Sequence, residues 1–169
     1  RDDKLARPWI KPGTPGLTHR IGRIEKPPGT GDIDYSPGAH AEMTKLRADK
    51  VLGIAADIPA QEVCLGHPGA KVAVIGWGST FGPIHQAVKR LLAQGHDVAH
   101  VHVRHIWPLP ANLGELLRSF GTVIVPEMNT GQFKTLLRDQ YLVDVQSLTK
   151  TSGQPFKIAE IEAAARAAH

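Results

Sequence analysis

Residues 71–92, KVAVIGWGSTFGPIHQAVKRLL, constrain the fold more than any other stretch of this chain. Val72, Ala73, Val74 and Ile75 form a short, nearly continuous apolar run, as a strand covered on both faces requires. Gly76 and Gly78 then permit a sharp turn and a close backbone approach. Ser79 and Thr80 are N-cap residue types for a helix opening near Gly82 and Pro83. Ile84, Ala87, Val88, Leu91 and Leu92 follow at helical spacing, and Gly95 suits a C-terminal stop. A strand, glycine turn and helix in this order bring free backbone N–H groups to the carboxyl edge of a parallel sheet. Ligands and partners of α/β domains gather at that edge.

The rest of the chain repeats the alternation. Gln61–Leu65 reads as a first, edge strand, Val98–Arg104 as a strand, and Ala111–Phe120 as a helix after the stiff Trp107-Pro108-Leu109-Pro110 turn. Thr122–Val125 reads as a buried strand ending at Pro126, and Gly131–Tyr141 as a helix with Phe133, Leu136 and Leu137 inward. Leu142–Leu148 completes the strands and Ile158–Ala167 forms a last helix that covers the sheet. The expected fold is a three-layer α/β domain, with a mostly parallel sheet of about five strands and helices on both faces. It is expected to span residues 58–169. Residues 1–57 read differently: the first 36 or so are rich in Pro and Gly, without helical or strand period, and one helix near 39–52 opens at Ser36 or Pro37.

Composition removes several functions. With 20 basic and 16 acidic residues, spread along the chain, nothing calls for a nucleic-acid partner. No apolar run nears the roughly 20 residues that a membrane span needs. Cys64 is the one cysteine, which excludes an internal disulfide and an iron–sulfur ligand set, and a cytoplasmic setting is expected. Cys64 itself reads as a buried structural thiol. The chain opens on Arg1 rather than Met, and is expected to be part of a longer one.

Four constellations offer chemistry. GWGST at Gly76–Thr80 is not GxGxxG, because Phe81 stands at the third glycine position and Asp97 precedes the next strand, so a dinucleotide site is disfavoured against a plain tight turn. His100 and His102 share a strand face with Arg104, while His105 points away. Two imidazoles need a third ligand to hold zinc, and Arg104 would repel a cation, so no metal site is assigned. An exposed or interface-facing strand side is the expectation there. In PEMNTGQ, Glu127 is a general base or acid if desolvated, or a helix-capping or subunit-bridging carboxylate. Asn129 or Thr130 is the expected N-cap of the next helix, with Gln132 in its first turn. In TKTSGQPF, Lys150 beside the Gly153-Gln154-Pro155 turn either meets an anion or is simply solvated.

Taken in order and spacing, GWGST, HVRHIWPLPANL, VIVPEMNTGQ and VQSLTKTSGQPF resemble the α subunit of 2-oxoacid:ferredoxin oxidoreductases, nearest to the 2-oxoglutarate type of actinobacteria. The resemblance covers nearly the whole chain. RPWIKPGTPGLTHRIGRIE resembles the segment leaving that subunit's pyrimidine-binding domain, and residues from about 58 on its domain II, similar to the C-terminal domain of transketolase. The resemblance implies oxidative decarboxylation of 2-oxoglutarate to succinyl-CoA with ferredoxin reduced. Thiamine diphosphate, magnesium, an iron–sulfur cluster and coenzyme A serve the full complex, none of them bound by this segment. It implies a β subunit as direct partner, ferredoxin through the complex, and an oligomer. One departure stands out: Gly22-Arg23-Ile24-Glu25-Lys26 replaces a glycine-leucine-glutamate-histidine run common in the family. The segment is then a structural, subunit-contacting domain without catalytic residues of its own. Contacts fall to Gly76, Gly78, Ser79, Thr80, Glu127, Asn129, Gln132, Lys150, Gly153 and Gln154, on three carboxyl-edge loops. The alternative is a free-standing flavodoxin-like or Rossmann-like module that takes a phosphate at GWGST.

Overall fold

A computed structural model of the chain describes residues 2–19, 22, 25–29 and 32–168. Arg1, and Arg23 and Ile24 of the departing motif, lie outside the described residues. The chain divides into two compact units between Asp57 and Ile58.

In the first unit, helix α1 spans Pro37–Gly53. The Ser36 hydroxyl accepts from the Ala39 N–H at 3.2 Å, and Pro37 supplies the preset φ of the first turn. The helix starts two residues before the expected Ala39. Glu25 accepts from Arg47 and from His40, each at 2.6 Å, tying the preceding segment to α1.

In the second unit the strands are β1 Val63–Leu65, β2 Val72–Trp77, β3 Val98–Val103, β4 Thr122–Glu127 and β5 Val145–Thr149. The helices are α2 Phe81–Ala93, α3 Leu113–Ser119, α4 Gln132–Tyr141 and α5 Ile158–Ala167. Strand order is β1-β3-β2-β4-β5, with β1 antiparallel and the rest parallel. Two apolar layers flank the sheet. Ala73, Ile75, Val101, Val123 and Val125 pack with Leu113, Leu117, Phe133 and Leu137 of α3 and α4. On the other face Val72, Val74, Val98 and Ile124 pack with Ile84, Val88 and Leu91 of α2 and Ile161 and Ala165 of α5. The period-2 alternation of strand side chains produces both layers from one run of apolar residues.

Several expected boundaries shift for local reasons. β5 begins at Val145, not Leu142, because Leu142 closes α4 in a left-handed conformation with φ 54° and stands fully in solvent. β4 runs through Pro126 to Glu127, because its pairing with β5 continues there while its pairing with β2 ends at Ile124. α3 is shorter than expected at both ends, and at its N-cap the Asn112 side chain is spent elsewhere. Its Oδ1 accepts from the Gln61 N–H at 2.7 Å and its Nδ2 donates to the Gln61 carbonyl at 3.0 Å, which pins the approach to β1. Cys64 is exposed rather than buried: β1 is a three-residue edge strand, and Cys64 stands where its register with β3 shifts between Val63 and Leu65.

Candidate functional site

Strand order reverses between β2 and β4, where successive crossovers leave in opposite directions. β2 and β4 pair only at Val72–Val74 with Thr122–Ile124. Their outer partners stay paired much further, Trp77 with Val103 and Glu127 with Thr149. The last three residues of each strand therefore splay apart and open a crevice at the carboxyl edge. This is the switch point where α/β sheets hold ligands and partners. Trp77 and Phe133 line it, with ring centroids 6.0 Å apart, and the buried Trp77 Nε1 has no hydrogen-bond acceptor among the described residues.

The turn on the β2 side is built for packing. Gly76 has ordinary strand geometry, but a Cβ there would stand 2.6 Å from Ile84 Cδ1, 3.0 Å from Thr80 Oγ1 and 3.1 Å from His102 Nδ1. Its close approach is thus to its own helix and neighbouring strand. Gly78 has φ +56° and open space around it, so there the need is conformational. Helix α2 opens at Phe81, one residue before the expected start. Thr80 does not cap it with its side chain: its hydroxyl donates to the Trp77 carbonyl at 2.8 Å and accepts from the Trp77 N–H at 3.1 Å, closing the 78–80 turn on itself. Ser79 is exposed.

On the β4 side, Glu127 is fully buried. Its Oε1 accepts from the Phe133 N–H at 2.8 Å and from Asn129 Nδ2 at 3.2 Å, and its Oε2 from the Lys134 N–H at 3.0 Å. Both oxygens thus serve the open amide groups of α4. Asn129 Oδ1 takes the N–H groups of Gly131 at 2.7 Å and Gln132 at 3.3 Å. The N-cap position itself belongs to Gly131, at φ 98°, and not to Asn129 or Thr130. A Cβ on Gly131 would press on Ser147 Oγ at 3.2 Å. Gln132 is exposed.

Lys150 is neither solvated nor free for an anion. Its side chain is 18% exposed, its Nζ donates to both Glu160 oxygens at 2.9 Å and to the Pro155 carbonyl at 3.1 Å, and it lies over the Phe156 ring. Glu160 also accepts from the Lys157 N–H at 2.7 Å. The Lys150 hydrogen bond, then the Lys157 backbone bond, hold the Glu160 carboxyl below its ordinary value. A depressed carboxyl stabilises the fold above the unfolded value and loses that contribution as pH falls through the folded one. In Lys150→Met the Glu160 carboxyl is expected to titrate higher, nearer an ordinary glutamate, which a side-chain NMR titration reads directly. Gly153, at φ 72°, and Gln154 stay exposed in this loop. The Lys150 N–H donates to the Glu127 carbonyl at 2.9 Å and so joins the second and third loops.

The strand histidines are the largest departure. His100 is completely buried rather than on an exposed side, because α2 lies over that face. No group of three His, Cys, Asp or Glu side chains is arranged to hold a metal ion among the described residues. Arg104 and His105 fall past the end of β3, where strand alternation no longer governs them.

Residues 70–166, more than half the chain, match the family Pyruvate:ferredoxin oxidoreductase core domain II. Over 166 residues, 98% of this chain, identity is 48% to 2-oxoglutarate oxidoreductase subunit KorA of Mycobacterium tuberculosis. The chain belongs to the 2-oxoacid:ferredoxin oxidoreductase α-subunit family. It spans 25% of that relative's length. A 2-oxoacid:ferredoxin oxidoreductase α subunit of Aeropyrum pernix is 33% identical over 64% of this chain and 18% of the relative. Among solved structures, 2-oxoglutarate:ferredoxin oxidoreductase from Magnetococcus marinus, with 2-oxoglutarate, coenzyme A and succinyl-CoA bound, superposes with a TM-score of 0.88. That match has 30% identity and covers 99% of this chain and 29% of the other. Among the described residues no helix is long and apolar enough to cross a membrane.

Proposed function

We propose that this chain is the domain II region of an α subunit in a 2-oxoglutarate:ferredoxin oxidoreductase. In that complex 2-oxoglutarate is oxidatively decarboxylated to succinyl-CoA and ferredoxin is reduced. The 48% identity along 98% of the chain carries the reading. Residues 1–57 then form the connection from the pyrimidine-binding domain, and residues 58–169 a structural, subunit-contacting domain in a cytoplasmic oligomer.

The residues present fit a supporting role better than a cofactor site. An iron–sulfur cluster takes four thiolates, and this chain has one cysteine. Glu127 is committed to α4, Lys150 to Glu160, and Thr80 to Trp77. Thiamine diphosphate, magnesium and the cluster are therefore assigned to elements outside this chain. The carboxyl edge offers contact surface instead. Phe81, Ile106, Trp107 and Met128, on three successive strand-to-helix loops, expose 38–56% of their area. Large apolar side chains gathered on one edge mark an interaction surface. With Ser79, Gln132 and Gln154 they form the face assigned to the β subunit and the rim of the coenzyme A channel.

The test is co-expression of the full-length α subunit with its β subunit and assay of 2-oxoglutarate- and coenzyme A-dependent ferredoxin reduction. Activity in the co-purified complex is expected. A Trp107→Asp variant is expected to weaken subunit association about tenfold or more, as loss of an interface anchor does. Failure of the two subunits to associate, or turnover independent of coenzyme A, would sink the reading.

A further inference from the structure

Beneath the first turns of α2 lies a cluster of three imidazoles closed by one phenyl ring. The Phe81 ring sits 5.1 Å from His85, 5.2 Å from His100 and 5.0 Å from His102, centroid to centroid. His100 lies 5.7 Å from His85 and 5.9 Å from His102. Four ring nitrogens here are buried without a hydrogen-bond partner among the described residues: both of His100, and Nδ1 of His85 and of His102. Around His100, β2 brings Val74 and Gly76, and β1 brings Leu65. Helix α2 brings His85 and, one turn on, Lys89, and Arg104 follows on the same chain segment. Glu62 and Cys64 of the β1 segment are exposed. Among the described residues no carboxylate acts on His100 or His102, and on α5, packed against α2, Glu162 faces Arg90 at 3.7 Å. A proton entering this cluster finds no counter-charge, a second imidazole beside the first, and the positive end of a helix above it.

We propose that this cluster makes the seating of the first turn of α2, and with it the 78–80 turn at the crevice, sensitive to protons. In the closed cluster burial holds His100 and His102 in their neutral forms. Opening, with Phe81 swung out, exposes them to water and lets them charge. Burial, then the neighbouring His102 and His85, push His100 down to about 3. Burial, then Arg104, push His102 down as well. For a base held low in the closed form, stability is full above the exposed value and is lost as pH falls below it. With an exposed histidine near 6.5, His100 alone multiplies the opening equilibrium about 25-fold between pH 7 and pH 5.

The experiment is hydrogen–deuterium exchange of the full chain from pH 7.5 to 5, corrected for the intrinsic pH dependence of exchange. Peptides covering 78–86 are compared with peptides covering 132–141 of α4. Opening of 78–86 is expected to rise at least about 25-fold between pH 7 and pH 5, well ahead of α4. In His100→Leu that rise is expected to shrink by about the same factor. An equal rise in both peptides, or the same rise in the wild-type chain and His100→Leu, overturns the proposal. An NMR titration of the wild-type imidazoles decides independently of the variant: His100 titrating near 6.5 with α2 closed overturns it too.

Discussion

Glu127→Ala is expected to cost about 3–5 kcal/mol of folding stability, enough to lower the thermal midpoint by roughly 10–20 °C. The carboxyl group is fully buried and takes the N–H groups of Phe133 and Lys134 together with the Asn129 amide. Alanine leaves the buried Phe133 N–H without an acceptor and takes the same partner from the part-buried Lys134 N–H and Asn129 amide. Each such donor costs about 1–3 kcal/mol, while the pair it replaces was worth less, and this asymmetry makes truncation expensive. Glu127→Gln is the informative companion. Its carbonyl oxygen can still serve one amide, but its NH2 group opposes the other, so a loss of about 1–2 kcal/mol is expected. Thermal or urea unfolding of the two variants reads both numbers. A catalytic base would give the opposite pattern: Gln would leave stability near wild type and abolish turnover in the assembled enzyme. Equal, small stability losses in both variants would remove the capping role.

The fold was legible in the sequence because its strands are short apolar runs and its helices carry one apolar stripe, patterns set by local periodicity. The order of elements, the buried sheet, the Gly95 stop and the bounds of α5 all follow from such patterns. What was not legible depended on partners distant in sequence. The role of Lys150 turns on Glu160, ten residues on and across a proline turn. Residue type alone places Cys64 inside, although edge position leaves it exposed. His100 looked outward by alternation with polar neighbours, and only the placement of α2 buries it. Residue type and loop position suit Glu127 equally to base or cap, and its bond to the Phe133 N–H six residues on decides for the cap. The Asn112 clamp on Gln61 has no local signal, because it bonds across 51 residues.

At the candidate site these long-range partners have one consequence in common. Glu127, Lys150 and Thr80 are spent on holding the loops, and beside the exposed Arg104 and His105 the edge presents apolar or uncharged side chains: Phe81, Trp107, Met128, Ser79, Gln132 and Gln154. An edge of that kind suits a surface that must keep its shape against another protein. It follows that variants of the inward residues act through stability, and variants of the outward ones through assembly.

Gly76→Val separates these two modes on the GWGST turn, and is expected to cost about 4 kcal/mol. A Cβ alone meets Ile84, Thr80 and His102 within 2.6–3.1 Å, and Ile84 is itself completely buried, so its terminal methyl has nowhere to move without disturbing α2. Overpacking of this sort typically costs about 1–3 kcal/mol and occasionally more, and valine inserts three carbons at the hinge of a strand and a helix. Displacing Thr80 would also break both of its bonds to Trp77. Gly78→Ala, two residues on, has no atom to strike and pays only for its left-handed backbone, about 1 kcal/mol. The expected result is therefore a steep inequality between two glycines of one turn, measured as unfolding free energies. A phosphate-cradling turn would behave differently. Both variants would stay near wild-type stability, and both would lose the anion, so inorganic phosphate or a nucleotide titrated against the folded variants distinguishes a ligand turn from one whose glycine makes room for its own helix.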